Sequence, residues 1–480
     1  MSAVAAREMH RFRAGGREFA YLVPSAAIFA LDETATAILD RLDGKSVAAD
    51  ALLRDLKELF PEDDVRESLA ELGRVQAVGP ARVALPMAGA KALPSQPFPL
   101  TTLVLNVTNQ CNLSCTYCYE YGEDKIVDTK QGAQPKFMTE ETARASVDFM
   151  LKESGANKVA HLTFFGGETL LNFPVLKSTV AYAKARGEEL GKLVDFSLTT
   201  NATLLRPEVL DFLLENDVGI TISMDGPKEV QDRFRIFPGG AGSYDVILPK
   251  VKELLRRHRG RPVGARVTLT SAGLDIRAIY RHLTEEVGFH EVGFAPVTTS
   301  PQREHALGEG GFDAMLEQFR ELALEFRDAA LEDRPHGFSN VKDTIAEIHK
   351  GVAKAWPCGA GLGLMGVATD GEVALCHRFA GSAEHSLGTV RDGIDRDRQA
   401  AFLDAHHIAE KTDCQRCWAR PLCAGGCYHE AYTRYGTTQR PNLHYCEWIR
   451  GWTHTCLEIY GELSEKNPRF LTRSFGGGQA

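Results

Sequence analysis

From residue 101 to about 300, short runs rich in β-branched and aromatic residues alternate with stretches of helical period. The runs are TTLVLNV (101–107), HLTFF (161–165), DFSLTT (195–200), GITISM (219–224), ARVTLT (265–270) and EVGFAPV (291–297). Between them lie amphipathic segments such as EETARASVDFMLKESG and FPVLKSTVAYAKARGEELG. Such alternation predicts parallel strands joined by crossover helices, an α/β fold. Six units suit a partial (β/α)6 barrel better than a closed eight-fold one. Parallel barrels carry their chemistry at the C-terminal ends of the strands, so the residues just after each run matter most. After the first comes NVTNQCNLSCTYCYE, after the second Gly166-Gly167-Glu168, after the third Asn201, and the fourth ends at Ser223-Met224-Asp225-Gly226. These turns are expected to converge on one rim.

The pattern before the barrel is different. REFAYLV and AAIFALD read as two short strands, and ETATAILDRLD, AADALLRDLKELF and EDDVRESLAELGRV as three helices. Leu52, Leu53, Leu56, Leu59 and Phe60 give the second helix an apolar stripe. The segment is too weakly basic for a DNA-binding winged helix. A Pro-, Ala- and Gly-rich stretch from Ala84 to Pro99 reads as a linker. The expected divisions are a head over 1–85, a linker over 86–99, the barrel over 100–320, a helical connection over 321–357 and a Cys-rich tail over 358–470.

Composition narrows the function. A chain of 480 residues suits two or three domains, and 44% apolar with 25% charged residues is ordinary for a globular protein. A formal charge of −9 argues against a nucleic-acid partner or an acidic membrane surface. No signal-like apolar core and no 18-residue apolar run occurs, so a cytoplasmic location without membrane contact is expected. In that compartment 11 cysteines point to metal ligation or redox chemistry rather than disulfides.

Cys111, Cys115 and Cys118 form C-x3-C-x2-C. Three thiolates at this spacing can hold three irons of a [4Fe–4S] cube and leave the fourth open; a zinc knuckle would want a second nearby pair. The triplet, with Tyr117 before its third Cys, resembles the signature of radical S-adenosylmethionine (SAM) enzymes. The resemblance implies that the open iron chelates SAM, which one electron cleaves to a 5′-deoxyadenosyl radical. It also implies SAM contacts from Tyr117, Gly166, Gly167, Glu168, Asn201, Ser223 and Arg235, with Thr169 where the family's glycine motif has Pro. By themselves, the glycines also suit a plain strand-to-helix turn, Arg235 a loop charge, Asp225-Gly226-Pro227 a turn, and Arg266 either the cavity or the surface.

The tail carries Cys358, Gly371 and Cys376, then Cys414, Cys417, Cys423, Cys427 and Cys446. Seven such spacings resemble the SPASM domain of radical SAM enzymes that modify peptides, which implies three [4Fe–4S] clusters in all. Cys414, Cys417, Cys423 and Cys446 would close one auxiliary cluster, and Cys358, Cys376 and Cys427 would hold another one ligand short. Sulfatase maturases of this kind have a further Cys in that interval, and an acidic base where this chain has His377, a weak catalytic candidate. An open auxiliary iron could take a substrate thiolate, as in the thioether-forming peptide maturases. Within these, the CHRF run (376–379) and CEWIRGWTHTCLEIY resemble the maturases of quinohemoprotein amine dehydrogenase. The implied reaction joins Cys sulfur to an Asp or Glu methylene in a small Cys-rich protein, the dehydrogenase's small subunit. Flavodoxin or ferredoxin would supply electrons, and the head, which resembles the small winged-helix element that precedes many peptide-modifying enzymes, would dock the peptide by strand addition. Formylglycine formation, another SPASM peptide modification and simple electron carriage remain the alternatives. Cys456 lies outside the motif and reads as a buried thiol.

Overall fold

The computed structural model describes residues 3–80, 97–120, 122, 124–126, 135–308 and 310–476. The linker expected over 86–99 therefore lies outside the described residues as far as residue 96. Among the described residues no helix is long and apolar enough to cross a membrane.

The six runs form six strands. With the head's strands numbered first, β1 is Ala3–Ala6, β2 Met9–Ala14, β3 Arg17–Leu22, β4 Ala27–Leu31, β5 Ser46–Ala48 and β6 Val78–Pro80. The barrel strands are β7 (Thr102–Asn106), β8 (Val159–Phe165), β9 (Leu193–Thr200), β10 (Gly219–Ser223), β11 (Gly264–Leu269) and β12 (Glu291–Pro296). They pair in sequence order, all parallel. Alternation along them explains why they stay paired. Val194, Phe196 and Leu198 of β9 are buried under the covering helices, while Asp195, Ser197 and Thr199 face the interior and are half-buried. That interior is polar and cross-linked: Thr163 meets Ser197 at 2.9 Å, His161 meets Asp195 at 3.0 Å, and Arg261 donates to Asp195 at 2.7 Å.

The sheet does not stop at β7. β13 (Leu364–Val367) from the tail lies parallel beside it, with Gly366 opposite Val104, and β14 (Glu372–Ala374), β15 (Ser386–Thr389) and β16 (Gly393–Ile394) continue antiparallel. One mixed sheet of ten strands thus runs through barrel and tail. Helices Gly311–Leu331 and Cys446–Lys466 pack together behind β12, with Phe319 edge-on to Trp448 at 5.4 Å and to Trp452 at 5.2 Å. Cys456 is fully buried there.

The head holds the three expected helices, Glu33–Arg41, Ala49–Leu56 and Glu62–Arg74, but six short strands rather than two. β2, β3 and β4 form a meander, and β5, β1 and β6 a second small sheet. The strand MHRFRA escapes a reading by residue type because His and Arg separate its apolar positions. The meander is covered on both faces. Ala20, Leu22 and Leu31 face the head's helices, whereas Phe12, Phe19 and Tyr21 join the core of barrel and tail. Glu8 forms a two-toothed ion pair with Arg420, and His10 stacks on Trp418 at 3.6 Å. The head is therefore fastened to the tail.

Phe12 is 3% exposed, and Phe12→Ala opens a cavity expected to cost about 3–5 kcal/mol. Limited trypsinolysis should then cut at Arg13 and Arg17, while Leu59→Ala, at an exposed position, leaves the pattern unchanged.

Candidate functional site

The loop after β7 carries Cys111, Cys115 and Cys118, and it is pinned from both sides. The Gly167 N–H donates to Thr108 O at 3.1 Å and the Glu168 N–H to Gln110 O at 2.9 Å. Gly166 has φ +122°, and a Cβ there would stand 2.3 Å from Thr108 O, so the close approach requires glycine. Opposite, the Ser114 N–H donates to Ile236 O at 2.7 Å and the Thr116 N–H to Phe234 O at 3.2 Å. The loop is thus wedged between the end of β8 and the segment that carries Arg235.

Gly166, Gly167, Asn201, Ser223 and Arg235 line one cavity of about 610 Å³ together with Tyr117 and the three thiols. Glu168 does not face it. Fully buried, its carboxylate accepts from Thr200 Oγ1 at 2.7 Å, the Leu170 N–H at 3.0 Å and the Asn201 N–H at 2.8 Å. It acts through Asn201, whose Nδ2 donates to Asn112 Oδ1 at 3.1 Å and approaches Cys111 Sγ at 3.8 Å. Glu168 is a positioning residue that ties two strand ends beneath the thiols.

Asp225, which reads from sequence as a turn residue, is the hub of the opposite wall. Its carboxylate accepts from Tyr117 OH, from Arg235 Nε at 2.9 Å and from the Thr268 N–H at 2.9 Å. Arg235 also sits 5.4 Å from the Tyr117 ring centroid and hydrogen-bonds Cys115. Since Asp225 and Arg235 are both buried, each neutralises a charge the other could not sustain alone. Sequence offered no signal for this: the partners lie on three separate segments, two of them loops and the third strand β11.

In the tail, β14 leads directly into Cys376. A Cβ at Gly366 of β13 would fall 2.5 Å from Cys376 C, so the bare strand lets Cys376-His377 cross it. Asn106 Nδ2, at the end of β7, donates to His377 O at 3.1 Å. His377 and Arg378 thereby reach the same cavity as the first thiols. Burial, then the Arg378 charge, lowers the pKa of His377 to about 3, so its imidazole stays neutral and is a poor proton acceptor. Its ring centroid lies 4.6 Å from that of Phe165.

Three observations fit the thiols to iron–sulfur clusters. Burial pushes the Cys111, Cys376 and Cys414 thiols up to about 12, a cost that cationic iron reverses. Among the described residues, buried polar atoms near Cys358, Cys376 and Cys427 have no hydrogen-bond partner: Tyr428 OH, His377 Nδ1 and both ring nitrogens of His429. Buried Lys411 makes no ion pair with a described carboxylate and lies within electrostatic reach of Cys414, Cys423 and Cys358. Its ammonium suits a site where thiolates and sulfides bring negative charge, and no motif marks it.

Residues 105–268 match the radical SAM superfamily. The serine-type anaerobic sulfatase-maturating enzyme of Bacteroides thetaiotaomicron is 26% identical over 384 residues, 74% of this chain and 89% of that enzyme. Among solved structures, native anSMEcpe with bound AdoMet has a TM-score of 0.63 at 20% identity, covering 78% of this chain and 99% of that one. Streptococcus suis SuiB bound to precursor peptide SuiA has a TM-score of 0.50 at 12% identity, covering 92% and 100%. At such identities the structural likeness speaks for the fold.

Asp225→Ala leaves the buried Arg235 charge uncompensated and is expected to cost about 3–5 kcal/mol, against about 1 kcal/mol for Tyr117→Phe. Melting temperatures should fall in that order. Equal losses for the two variants would contradict Asp225 as the counter-ion of Arg235.

Proposed function

From a radical SAM domain in a chain with SPASM-type maturase homologues, we propose an enzyme that forms Cys-to-Asp or Cys-to-Glu methylene thioethers within a small Cys-rich protein. The small subunit of quinohemoprotein amine dehydrogenase is the substrate that the sequence resemblance favours. One observation carries this reading: Cys358, Cys376 and Cys427 lie within electrostatic reach of one another, and Cys414, Cys417, Cys423 and Cys446 form a second such group. The three-thiol set, Cys358, Cys376 and Cys427, adjoins the cavity through His377 and Arg378.

When bound, the clusters and SAM supply a deoxyadenosyl radical, an iron for a substrate thiolate and an acceptor for the departing electron. The chain's own residues provide placement and dryness. Gly166 and Gly167 leave backbone space beside the first thiols, Asn201 steadies Cys111, and the Asp225–Arg235–Tyr117 group closes the wall. Joining sulfur to carbon removes one hydrogen atom from the methylene, one proton from the thiol and one electron. We assign Tyr117, Gly166, Gly167, Asn201, Ser223 and Arg235 to SAM, and a flavodoxin or ferredoxin as electron donor.

A second reading, formylglycine formation, draws on the sulfatase-maturating relative. Asp343 also favours it: this carboxyl lines the cavity, and desolvation, then Glu291, raises its pKa toward that of a proton acceptor.

Anaerobic reconstitution should give about twelve irons per chain, and replacing Cys111, Cys115 and Cys118 with Ala should remove about a third of them and abolish SAM cleavage. About four irons in the intact chain, or zinc in the tail, would refute three clusters. The modified substrate should be lighter by two hydrogens per linkage, with its Cys no longer alkylatable and an Asp or Glu methylene as partner. Fragmentation mass spectrometry decides this, and an aldehyde in place of the Cys side chain would establish the second reading instead.

A further inference from the structure

Three arginines line the cavity, and they are not in the same electrostatic state. Arg235 is neutralised by Asp225. Arg378 donates to Thr298 Oγ1 at 3.2 Å and lies 4.7 Å from the Tyr119 ring centroid. The carboxylate nearest in effect, Glu430, is already taken by Thr298 at 2.8 Å, Arg434 at 2.9 Å and His444 at 3.3 Å. Arg266 makes no hydrogen bond or ion pair with any described residue.

The placement of Arg266 is built rather than incidental. It projects from β11 with Gly293 of β12 opposite it in register. A Cβ at Gly293 would meet Arg266 Nη1 at 3.1 Å and Ser339 Oγ at 2.7 Å, so the missing side chain forms the shelf on which the guanidinium lies. Arg266 is exposed to this cavity. Nearby Glu291 is held by Lys342 at 2.5 Å, and Asp343 makes no ion pair with Arg266 among the described residues. Glu120, Glu291 and Asp343 line the same cavity, and Cys427 and Cys376 support the Arg378 charge, yet neither Arg266 nor Arg378 forms an ion pair with a described carboxylate, and low-dielectric walls concentrate their field.

We infer that Arg266 and Arg378 form a clamp for a carboxylate of the peptide substrate, supplied by an acidic side chain, and that this clamp selects the residue presented to the radical. A guanidinium fork matches a carboxylate with two parallel N–H donors, a geometry that a neutral amide cannot repay with charge. The inference rests on the proposed reading that an Asp or Glu residue reacts; it adds the groups that recognise it.

The test uses the full-length reconstituted protein with SAM and the α-amides of N-acetylaspartate and N-acetylglutamate, their Asn and Gln isosteres, and N-acetylglycine. Ligand-observed NMR should show the acids binding roughly tenfold or more tightly than the isosteric amides. R266Q should remove that preference, and G293A, which displaces the guanidinium without deleting it, should reduce it. Iron content equal to that of the parent protein establishes that both variants fold. Equal binding of acids and amides, or an undiminished preference in R266Q, overturns the clamp. Tighter binding of N-acetylglycine assigns it instead to a peptide C-terminus, and acid binding that SAM abolishes assigns it to SAM's own carboxylate; either overturns the inference. Preferential acid binding without thioether product would leave the clamp standing and refute the reaction. Thioether formation by R266Q at an unchanged KM would do the reverse.

Discussion

The site depends on the parallel pairing of β13 with β7. Four residues of the tail extend the barrel sheet on its first edge, with Leu364 opposite Thr102 and Val367 opposite Leu105. Sheet hydrogen bonding fixes the register, and a slip of one residue would turn every side chain to the wrong face. From that register β14 returns antiparallel and delivers Cys376, His377 and Arg378 over the bare backbone of Gly366. The thiol loop after β7 and Cys376 just beyond β14 are consequently held by strands of one sheet. Side chains placed by a shared scaffold need no domain closure to line one cavity.

Around this scaffold the chain is kept in shape by hydrogen-bonded carboxyl groups. Asp225 joins three segments through Tyr117, Arg235 and Thr268, and Glu168 joins β8 to β9 through Thr200 and Asn201. A third carboxylate, Asp124, accepts from Arg303, Thr299 and Ser300. Burial opposes its charge, but those hydrogen bonds hold its pKa well below the usual carboxylate range. In each case the carboxylate serves geometry. Among the described residues Arg266 and Arg378 form no ion pair with a carboxylate.

The head illustrates how packing overrides a division by sequence. A meander with one apolar face could be an appended module, but this one is apolar on both. Phe12 and Phe19, with ring centroids 5.3 Å apart, fill the surface of the Cys446–Lys466 helix, so removing residues 1–85 would strip a wall from the main core. A peptide reaching the head would stay near the tail, since Arg420 and Trp418, which contact it, adjoin Cys417.

By itself the sequence determined the six barrel strands, the crossover helices between them, the loops at the end of each strand and the two thiol-rich regions, because each rests on local periodicity or spacing. The strand boundaries differ by one or two residues, as Val159–Phe165 against the run 161–165 illustrates. Tertiary structure decided what depends on partners distant in the chain. The register of β13 on β7, the Arg420–Glu8 pair across 412 residues and the turn residue Asp225 acting as a counter-ion leave no local trace. Glu168 was legible as part of a glycine motif, but whether its carboxylate faces the cavity or the strands beneath was not. Arg266 shows the same limit: its place on a strand could be read from the chain, whereas its lack of a partner became visible only when Gly293 was brought beside it.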